Sequence, residues 1–437
     1  MSPDDATDDA DFGRRRQTSL FLNGLAVRRS RTPSTPDALE ARARKRMSKE
    51  AWAYVAGGAG VERTVAANRA AFDRWRIVPR VLRDVGARDT SVTLFGRRLP
   101  SPFLLAPVGV LDLAHKGADR AASLGARAAG TPIIWSNQAS VPMEQCARAM
   151  DAAGGGARWF QLYPSSSDAL IASLVRRAEA CGCDAIVLTL DTTMLGWRPR
   201  DLDLGYLPFL HGRGIAQYTS DPVFLAGLRE RPPKPERGGE PPTAPLTAPT
   251  LLAAVGQLRR FPGSLGSKLR SGHATRAVQR FIATYSRPSL TWEQIAGIRA
   301  LTRLPLLLKG ILHPDDARLA REVGADGLIV SNHGGRQVDG SIASLDALPA
   351  VVRAADGLPV LFDGGIRTGA DAFKALALGA AAVCVGRPYV YGLAIAGASG
   401  VRSVMANLRA ELDLTLGLAG LTSIDGVGPD ALVESPR

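Results

Sequence analysis

Eight short apolar runs, spaced by Ala-, Leu- and Arg-rich stretches, constrain what this chain can fold into. They are FLLAP (103–107), PIIWSN (132–137), RWFQLY (158–163), AIVLTLD (185–191), PLLLKG (305–310), GLIVSN (327–332), PVLFDGG (359–365) and AVCVGR (382–387). Each is apolar almost throughout rather than alternating, as strands of a parallel sheet covered on both faces are. Stretches between them, such as ADRAASLGARAAG, PDDARLAREVG and GADAFKALALG, have helical composition and end in Gly, a common helix stop. Eight such units predict an α/β chain folded as a (β/α)8 TIM barrel. An open doubly wound sheet is the alternative, because a sequence does not show closure. The lack of G-x-G-x-x-G after the first run weighs against it.

The chain has 437 residues, 46% of them hydrophobic, enough for one barrel-sized core. Residues 1–36 are polar and Arg-rich and read as a flexible N-terminal arm. Residues 37–437 read as the barrel domain, entered through a helical segment in which ALEARARKRMSKEAWAYVAGG is stopped by Gly57-Gly58. Between Asp191 and Pro305 there is far more chain than a β/α unit needs. Its middle, RERPPKPERGGEPPTAPLTAPT (229–250), is dense in Pro, Gly and charge. This middle reads as a flexible excursion with helical pieces on either side, within a Pro-rich insert at about 225–285 that leaves the fourth strand on the active-site face.

The formal charge is +13. No basic block is interleaved with aromatics and no zinc-finger string is present, so the charge points to anionic small ligands and not to nucleic acid. No apolar run is long enough to span a bilayer, and the N-terminus is acidic before it is basic. The expectation is a cytoplasmic chain with no membrane partner. Cys146, Cys181, Cys183 and Cys384 are scattered, and Cys181-Gly182-Cys183 has no accompanying Cys/His pair. Neither a disulfide framework nor a metal site is expected.

In such a barrel the chemistry sits at the C-terminal ends of the strands. Here those ends carry Ser136-Asn137-Gln138, Gln161-Leu162-Tyr163, Thr189-Leu190-Asp191, Lys309, Ser331-Asn332-His333, Asp363-Gly364-Gly365 and Gly386-Arg387. A purely structural barrel has no need of a polar rim on seven strands. The glycines of DGGIR and GRP let backbone N–H groups approach a ligand at the usual phosphate position, with Arg367 and Arg387 as charge donors. Lys309 closes an apolar strand and must meet an anion or polar ligand, either as a Schiff-base lysine or as an electrostatic partner. Asp191 is placed to orient a His or an Arg. His313, in HPDDA, reads as part of a helix start with Pro314 in the first turn, and His115 has no assigned role.

SNHGGRQ, DGGIRTG, ALALGAAAV and VGRPY together resemble the FMN-dependent α-hydroxy acid dehydrogenase/oxidase family, from about Trp52 to about Gly420 outside the Pro-rich insert. YVAGGAG, FQLY, GWRPRDLD, PFL, DPVF, TWE, KGI and HPDDAR are most similar to its lactate 2-monooxygenases. The resemblance implies FMN as cofactor, a small L-2-hydroxy acid such as L-lactate and O2 as partners, and a homo-tetramer or homo-octamer. It implies His333 as the base, Asp191 as its acidic partner, and Lys309 beside flavin N1. Arg336 and Arg198 would hold the substrate carboxylate, with Tyr54 and Tyr163 as substrate-binding tyrosines. Pro107, Val108, Gly109, Ser136, Gln161, Tyr163, Thr189, Lys309 and Ser331 would contact the flavin. Asp363, Gly364, Gly365, Ile366, Arg367, Gly386 and Arg387 would take the ribityl chain and phosphate.

Physical chemistry supports the same roles. A planar guanidinium clamps a carboxylate through two hydrogen bonds, and a His beside a carboxylate suits proton acceptance near neutral pH. The chain also departs from family patterns. Gln138 stands where glycolate oxidase-like members have an aromatic residue. Gly109 in APVGV matches the monooxygenases, whereas lactate oxidases tend to have Ala. The insert is longer than the family norm. The expected activity is oxidation of L-lactate to acetate, CO2 and water. The alternatives are an oxidase releasing keto acid and H2O2, a dehydrogenase with another acceptor, and an inactive ligand-binding barrel.

Overall fold

The apolar runs form eight short parallel strands: β1 (Phe103–Leu105), β2 (Ile133–Trp135), β3 (Arg158–Leu162), β4 (Ile186–Thr189), β5 (Leu306–Ile311), β6 (Gly327–Val330), β7 (Val360–Asp363) and β8 (Ala382–Val385). In this computed structural model, which describes residues 11–28, 30–229, 245 and 247–435, they pair in chain order. The pairing of β7 with β6 and of β8 with β1 closes the barrel. The (β/α)8 architecture is thus the one expected, and the open sheet is excluded.

Side chains along a strand point alternately to its two faces. Phe103, Leu105, Ile133, Phe160, Leu188, Leu308, Val330 and Phe362 join the cluster formed with the surrounding helices. Leu104, Ile134, Trp159, Val187, Leu307, Ile329, Leu361 and Cys384 form a separate, inward-facing cluster. A hairpin of Val92–Leu94 and Arg97–Leu99 plugs the bottom, contributing Leu94 and Leu99 to that cluster and stacking Phe95 edge-on to Trp159. Two residues beyond each member of the inward layer stand Ala106, Ser136, Gln161, Thr189, Lys309, Ser331, Asp363 and Gly386. The period of two therefore puts a polar and small layer directly above an apolar one. This is why six strand ends are polar at the same height.

Among the described residues, four helices precede the barrel: α1 (Phe12–Leu25), α2 (Pro36–Arg44), α3 (Lys49–Ala56) and α4 (Arg63–Asp73). The helical run before Gly57 is broken into α2 and α3 at Ser48, whose side chain caps α3 by accepting from Ala51 N. Gly57 ends α3, as expected. The stretch expected as a loose arm is corrected in part, because α1 lies within it and docks on the long C-terminal helix Arg387–Leu418. Gly13 N donates to Asp413 Oδ2 at 2.8 Å and Arg16 Nε to Asn407 Oδ1 at 2.9 Å. The first ten residues lie outside the described ones.

The insert carries the helical pieces expected beside its centre. Helices Ala248–Arg260, Leu265–Ser271 and His273–Thr284 follow its Pro-rich centre. The last buries Ala274, Ala277, Val278 and Phe281 along one face, a helical spacing. Phe281 packs on Phe209 and Tyr218, with ring centroids 5.0 and 4.8 Å apart. Residues 230–244, where the flexible excursion is expected, lie outside the described residues.

Arg88 closes the N-terminal attachment, donating Nε to Asp413 Oδ1 and Nη2 to Asp413 Oδ2, both at 2.9 Å. Both side chains are almost fully buried. Arg88→Met leaves the Asp413 carboxylate without its cation and is expected to cost about 3–5 kcal/mol. Urea unfolding measures it, and a loss below about 1 kcal/mol, the range of exposed pairs, would show that the pair is dispensable.

Candidate active site

The polar layer is the floor of an open cavity at the C-terminal mouth of the barrel. Lys309 is its central charge. Nζ donates to Ser331 Oγ at 2.8 Å and pairs with Asp363 Oδ2 at 3.0 Å, with Asp191 Oδ2 3.9 Å away. Ser331 Oγ donates onward to Asp363 Oδ2 at 2.7 Å and accepts from His333 N. Burial pulls the Lys309 pKa down, but Asp363 and Asp191 outweigh it, and the net shift is upward. The ammonium stays charged. A charged, ion-paired ammonium fits the electrostatic reading of Lys309, whereas a Schiff-base lysine has to react as the neutral amine.

Above the floor, His333 Nδ1 is 2.8 Å from Asp191 Oδ1 and 3.1 Å from Thr192 Oγ1. This geometry assigns the ring hydrogen to Nδ1 and leaves the Nε2 lone pair free. Burial lowers the His333 pKa against the opposing pull of Asp191. Burial alone would raise Asp191, yet His333 and Lys309 bring it below its ordinary value. The result is a carboxylate behind a neutral imidazole. His333 also has φ +57°, a left-handed conformation rare for a residue with a Cβ. Gly334 and Gly335 continue the same turn at φ +64° and +76°. A Cβ on Gly335 would come within 2.7 Å of Val65, so the HGG turn requires glycine to sit this close to α4.

Two pairs of arginines face the cavity. Arg336 Nη1 donates to the carbonyls of Tyr54 (2.6 Å) and Gly57 (2.8 Å), and its guanidinium lies 5.0 Å from the Tyr54 ring centroid. Burial and the neighbouring Arg198 push its pKa down to about 10. Arg198 is bound by Arg336 O and Gln337 Oε1. Across the mouth, Arg387 donates to the carbonyls of Val55, Gly334 and Gly57. Arg367 donates to Ile366 O, and burial with Arg387 nearby lowers it to about 10. Among the described residues, none of the four forms an ion pair with a carboxylate. The end of α3 (YVAGG) thus supplies neutral carbonyls that hold Arg336 and Arg387 and leaves their charge to a ligand.

Of the residues singled out in the sequence, Tyr54, Pro107, Val108, Gly109, Gln161, Tyr163, Thr189, Arg198, Lys309, His333, Arg336, Asp363, Gly364, Gly365, Ile366, Arg367, Gly386 and Arg387 line the cavity. Ser136, Asp191 and Ser331 stand one layer behind it. Ser136 Oγ accepts from Gln138 N and lies 3.4 Å from Gln161 Oε1. His313 caps its helix by accepting from Asp315 N, as read. Sequence reasoning missed Thr192, Gln337, Leu195, Phe209 and Tyr285. It also missed a reciprocal amide pair in which Asn68 and Asn332 each donate to the other at 2.8 Å, tying α4 to the end of β6. Only the D-T and R-Q adjacency to named residues could have flagged Thr192 and Gln337.

A cofactor with a polar ring edge and an anionic tail fits these residues. Gln161 Nε2 and Thr189 Oγ1 are buried without hydrogen-bond partners among the described residues. Such orphans call for a ligand edge. A Cβ on Gly386 would meet nothing nearer than 3.9 Å, leaving space beside Arg367 and Arg387. Four guanidinium groups and one ammonium against Asp191 and Asp363 define a site for anionic ligands on a (β/α)8 scaffold.

The protein-family model of the FMN-dependent dehydrogenases matches residues 43–434. An L-lactate oxidase of Lysinibacillus sphaericus is 42% identical, the match covering 87% of this chain and 88% of that protein. An FMN-dependent alpha-hydroxy acid dehydrogenase of Penicillium citrinum is 41% identical over 95% and 94%. A 4-hydroxymandelate oxidase of Amycolatopsis orientalis is 38% identical over 88% and 94%. Among solved structures, mandelate oxidase with (S)-4-hydroxymandelic acid superposes with TM-score 0.74 at 35% identity, covering 92% of this chain and 99% of that one. The chain belongs to the FMN-dependent dehydrogenase family, FMN is its cofactor, and α-hydroxy acid oxidation is its chemistry.

Arg367 has a single neutral partner, so its truncation tests the phosphate end with little collateral damage. Arg367→Leu is expected to raise the FMN dissociation constant by roughly 10- to 100-fold, the loss of one charged hydrogen bond. Flavin fluorescence during titration of the apoprotein reads it. Unchanged affinity would place the phosphate elsewhere.

Proposed function

We propose that this enzyme oxidises a small L-2-hydroxy acid, L-lactate foremost, with O2, and retains the products long enough to yield acetate, CO2 and water. The observation that carries the oxidation is the Asp191–His333 pair beside a cavity lined by Arg336 and Arg198, which among the described residues form no ion pair with a carboxylate, although Asp201 lies near enough to attract both. In this reading the substrate carboxylate lies between Arg336 and Arg198. Burial holds the Tyr54 and Tyr163 hydroxyls protonated, raising both above the ordinary tyrosine value, so both can donate to the substrate. His333 Nε2 accepts the proton released as C2 is oxidised, and Asp191 stabilises the imidazolium that results. Lys309 keeps a fixed positive charge beneath the cofactor sector, where negative charge arises on reduction. FMN, when bound, accepts the two electrons of the oxidation and passes them to O2. The removed proton can leave either C2 or the 2-hydroxyl first.

The monooxygenase outcome rests on the wall beside the cofactor sector. Lactate and O2 first give pyruvate and H2O2, which then combine to acetate, CO2 and water if neither escapes. Gly109 supports retention through its closeness to Gln138. A Cβ there would lie 3.1 Å from both Gln138 Cβ and Gln138 O, and 3.5 Å from Ser136 Oγ. Any side chain at 109 must push this wall outward.

Product analysis with L-lactate under air decides the outcome: acetate and CO2 without accumulating peroxide are expected. Pyruvate with stoichiometric peroxide would establish an oxidase, and reduction of the cofactor without O2 turnover a dehydrogenase. Gly109→Ala is expected to shift products toward pyruvate and H2O2, and an unchanged product ratio would separate Gly109 from retention.

The pH dependence has a definite sign. The base works neutral, and the His333 value lies below 6.5. Cofactor reduction is therefore expected to be flat through neutral pH and to fall only on acidification beneath that value. Asp191→Asn removes a group that raises His333. It should slow reduction by about 10²-fold or more and move the acid limb to still lower pH. A limb that moved upward would contradict the pairing. Stopped-flow reduction across pH measures both.

A further inference from the structure

The loop after β4 and the turn after β6 meet at a side chain that the functional reading leaves without a role. Gln337 Nε2 donates to Asp191 O and to Met194 O, both at 2.9 Å. Its Oε1 accepts from Arg198 Nη2 at 2.9 Å and from Gly196 N at 3.4 Å. One neutral amide thus fastens both ends of the 191–198 loop and the guanidinium at its end. The two segments are in close contact at this point: a Cβ on Gly196 would come within 2.8 Å of Gln337 O. Arg198 itself is 7% exposed. Its other protein partner, Arg336 O, is also neutral.

We propose that Gln337 is a positioning residue for the substrate carboxylate, holding Arg198 beside Arg336 through a neutral acceptor so that the guanidinium keeps its charge for the substrate. This rests on the reading of Arg198 and Arg336 as the carboxylate clamp. The physical reason is the choice of acceptor. A carboxylate at 337 would orient Arg198 at least as firmly, because charged hydrogen bonds are stronger than neutral ones. It would also bind the guanidinium in an internal ion pair within a buried site, and an arriving substrate anion would have to compete with it. An amide orients without competing. Its second function, the two bonds from Nε2, sets the path of the loop from Asp191 to Arg198, so the base's acidic partner and the clamp share one brace.

Two variants separate charge from position. Gln337→Glu keeps an acceptor oxygen near Arg198, adds a charge and, like Gln337→Met, loses the two Nε2 donors to Asp191 O and Met194 O. Gln337→Met keeps the bulk and removes every hydrogen bond. Both are studied FMN-loaded, with pyruvate binding followed by perturbation of the flavin absorption and anaerobic reduction followed at saturating L-lactate. For Gln337→Glu, the pyruvate dissociation constant and the KM for L-lactate are expected to rise roughly tenfold or more and further than in Gln337→Met, while the limiting reduction rate falls as it does in Gln337→Met. For Gln337→Met, affinity is expected to fall and the limiting rate with it, since the loop carrying Asp191 loses its brace. Raising the ionic strength should weaken pyruvate binding less in Gln337→Glu than in wild type. FMN-loaded Gln337→Glu with wild-type pyruvate affinity and KM would overturn the proposal, as would losses confined to thermal stability and FMN content in both variants. Wild-type protein that binds pyruvate yet is reduced by no L-2-hydroxy acid would overturn the catalytic reading, and the pyruvate arm would still decide the role of Gln337.

Discussion

Lys309 carries an ammonium group into the interior of an eight-stranded barrel, where an unpaired cation would be strongly destabilising. Ser331, Asp363 and Asp191 surround it, and all three come from neighbouring strands in the same inward-facing layer or just above it. One layer lower, the interior is filled by Leu307, Ile329, Leu361 and their neighbours. The boundary between a dry barrel and a reactive one is therefore two residues deep. Below it the chain is stabilised by apolar burial. Above it, charges are held by one another, and the groups left over point at the ligand space.

The arrangement of those remaining groups explains selectivity. Arg336 and Arg387 are tied to carbonyls of the Tyr54–Gly57 segment, and Arg198 to a carbonyl and an amide. Neutral acceptors fix the guanidinium geometry without cancelling its charge, so both ends of the cavity stay attractive to anions. One end suits the FMN phosphate and the other the hydroxy acid carboxylate. Between them, His333 pairs with Asp191, which favours its protonation, while burial opposes it and prevails, leaving a neutral imidazole that suits the base of the proposed reaction. The positive φ of His333 and its two following glycines bring that ring to the mouth of β6 instead of along a helix.

Much of this was legible in the residues. Seven of the eight strands lie within the apolar runs and β5 passes the end of its run by one residue, Ile311, because a strand covered on both faces leaves an unbroken hydrophobic signature. The polar strand ends were legible for the same reason, since Lys309 or Asp363 is conspicuous after an apolar run. Closure of the barrel was not, because it depends on β6 meeting β7 and β8 meeting β1. The partners that act at long range were also hidden. Asn68 and Asn332 are 264 residues apart and bond through side-chain amides that carry no local periodicity. The docking of α1 depends on Asp413, 400 residues from Gly13. The helix His273–Thr284 follows a Pro-rich stretch whose composition masked its apolar face. Gln337 and Thr192 are neutral residues beside charged ones, and only their hydrogen bonds reveal them.

The base assignment is the centre of the account, and rapid anaerobic mixing of FMN-loaded protein with L-lactate tests it most directly. Wild-type protein should lose its oxidised flavin absorption, whereas His333→Gln, still binding pyruvate with near wild-type affinity, should be reduced at least about 10²-fold more slowly. Reduction of His333→Gln at the wild-type rate would contradict the account.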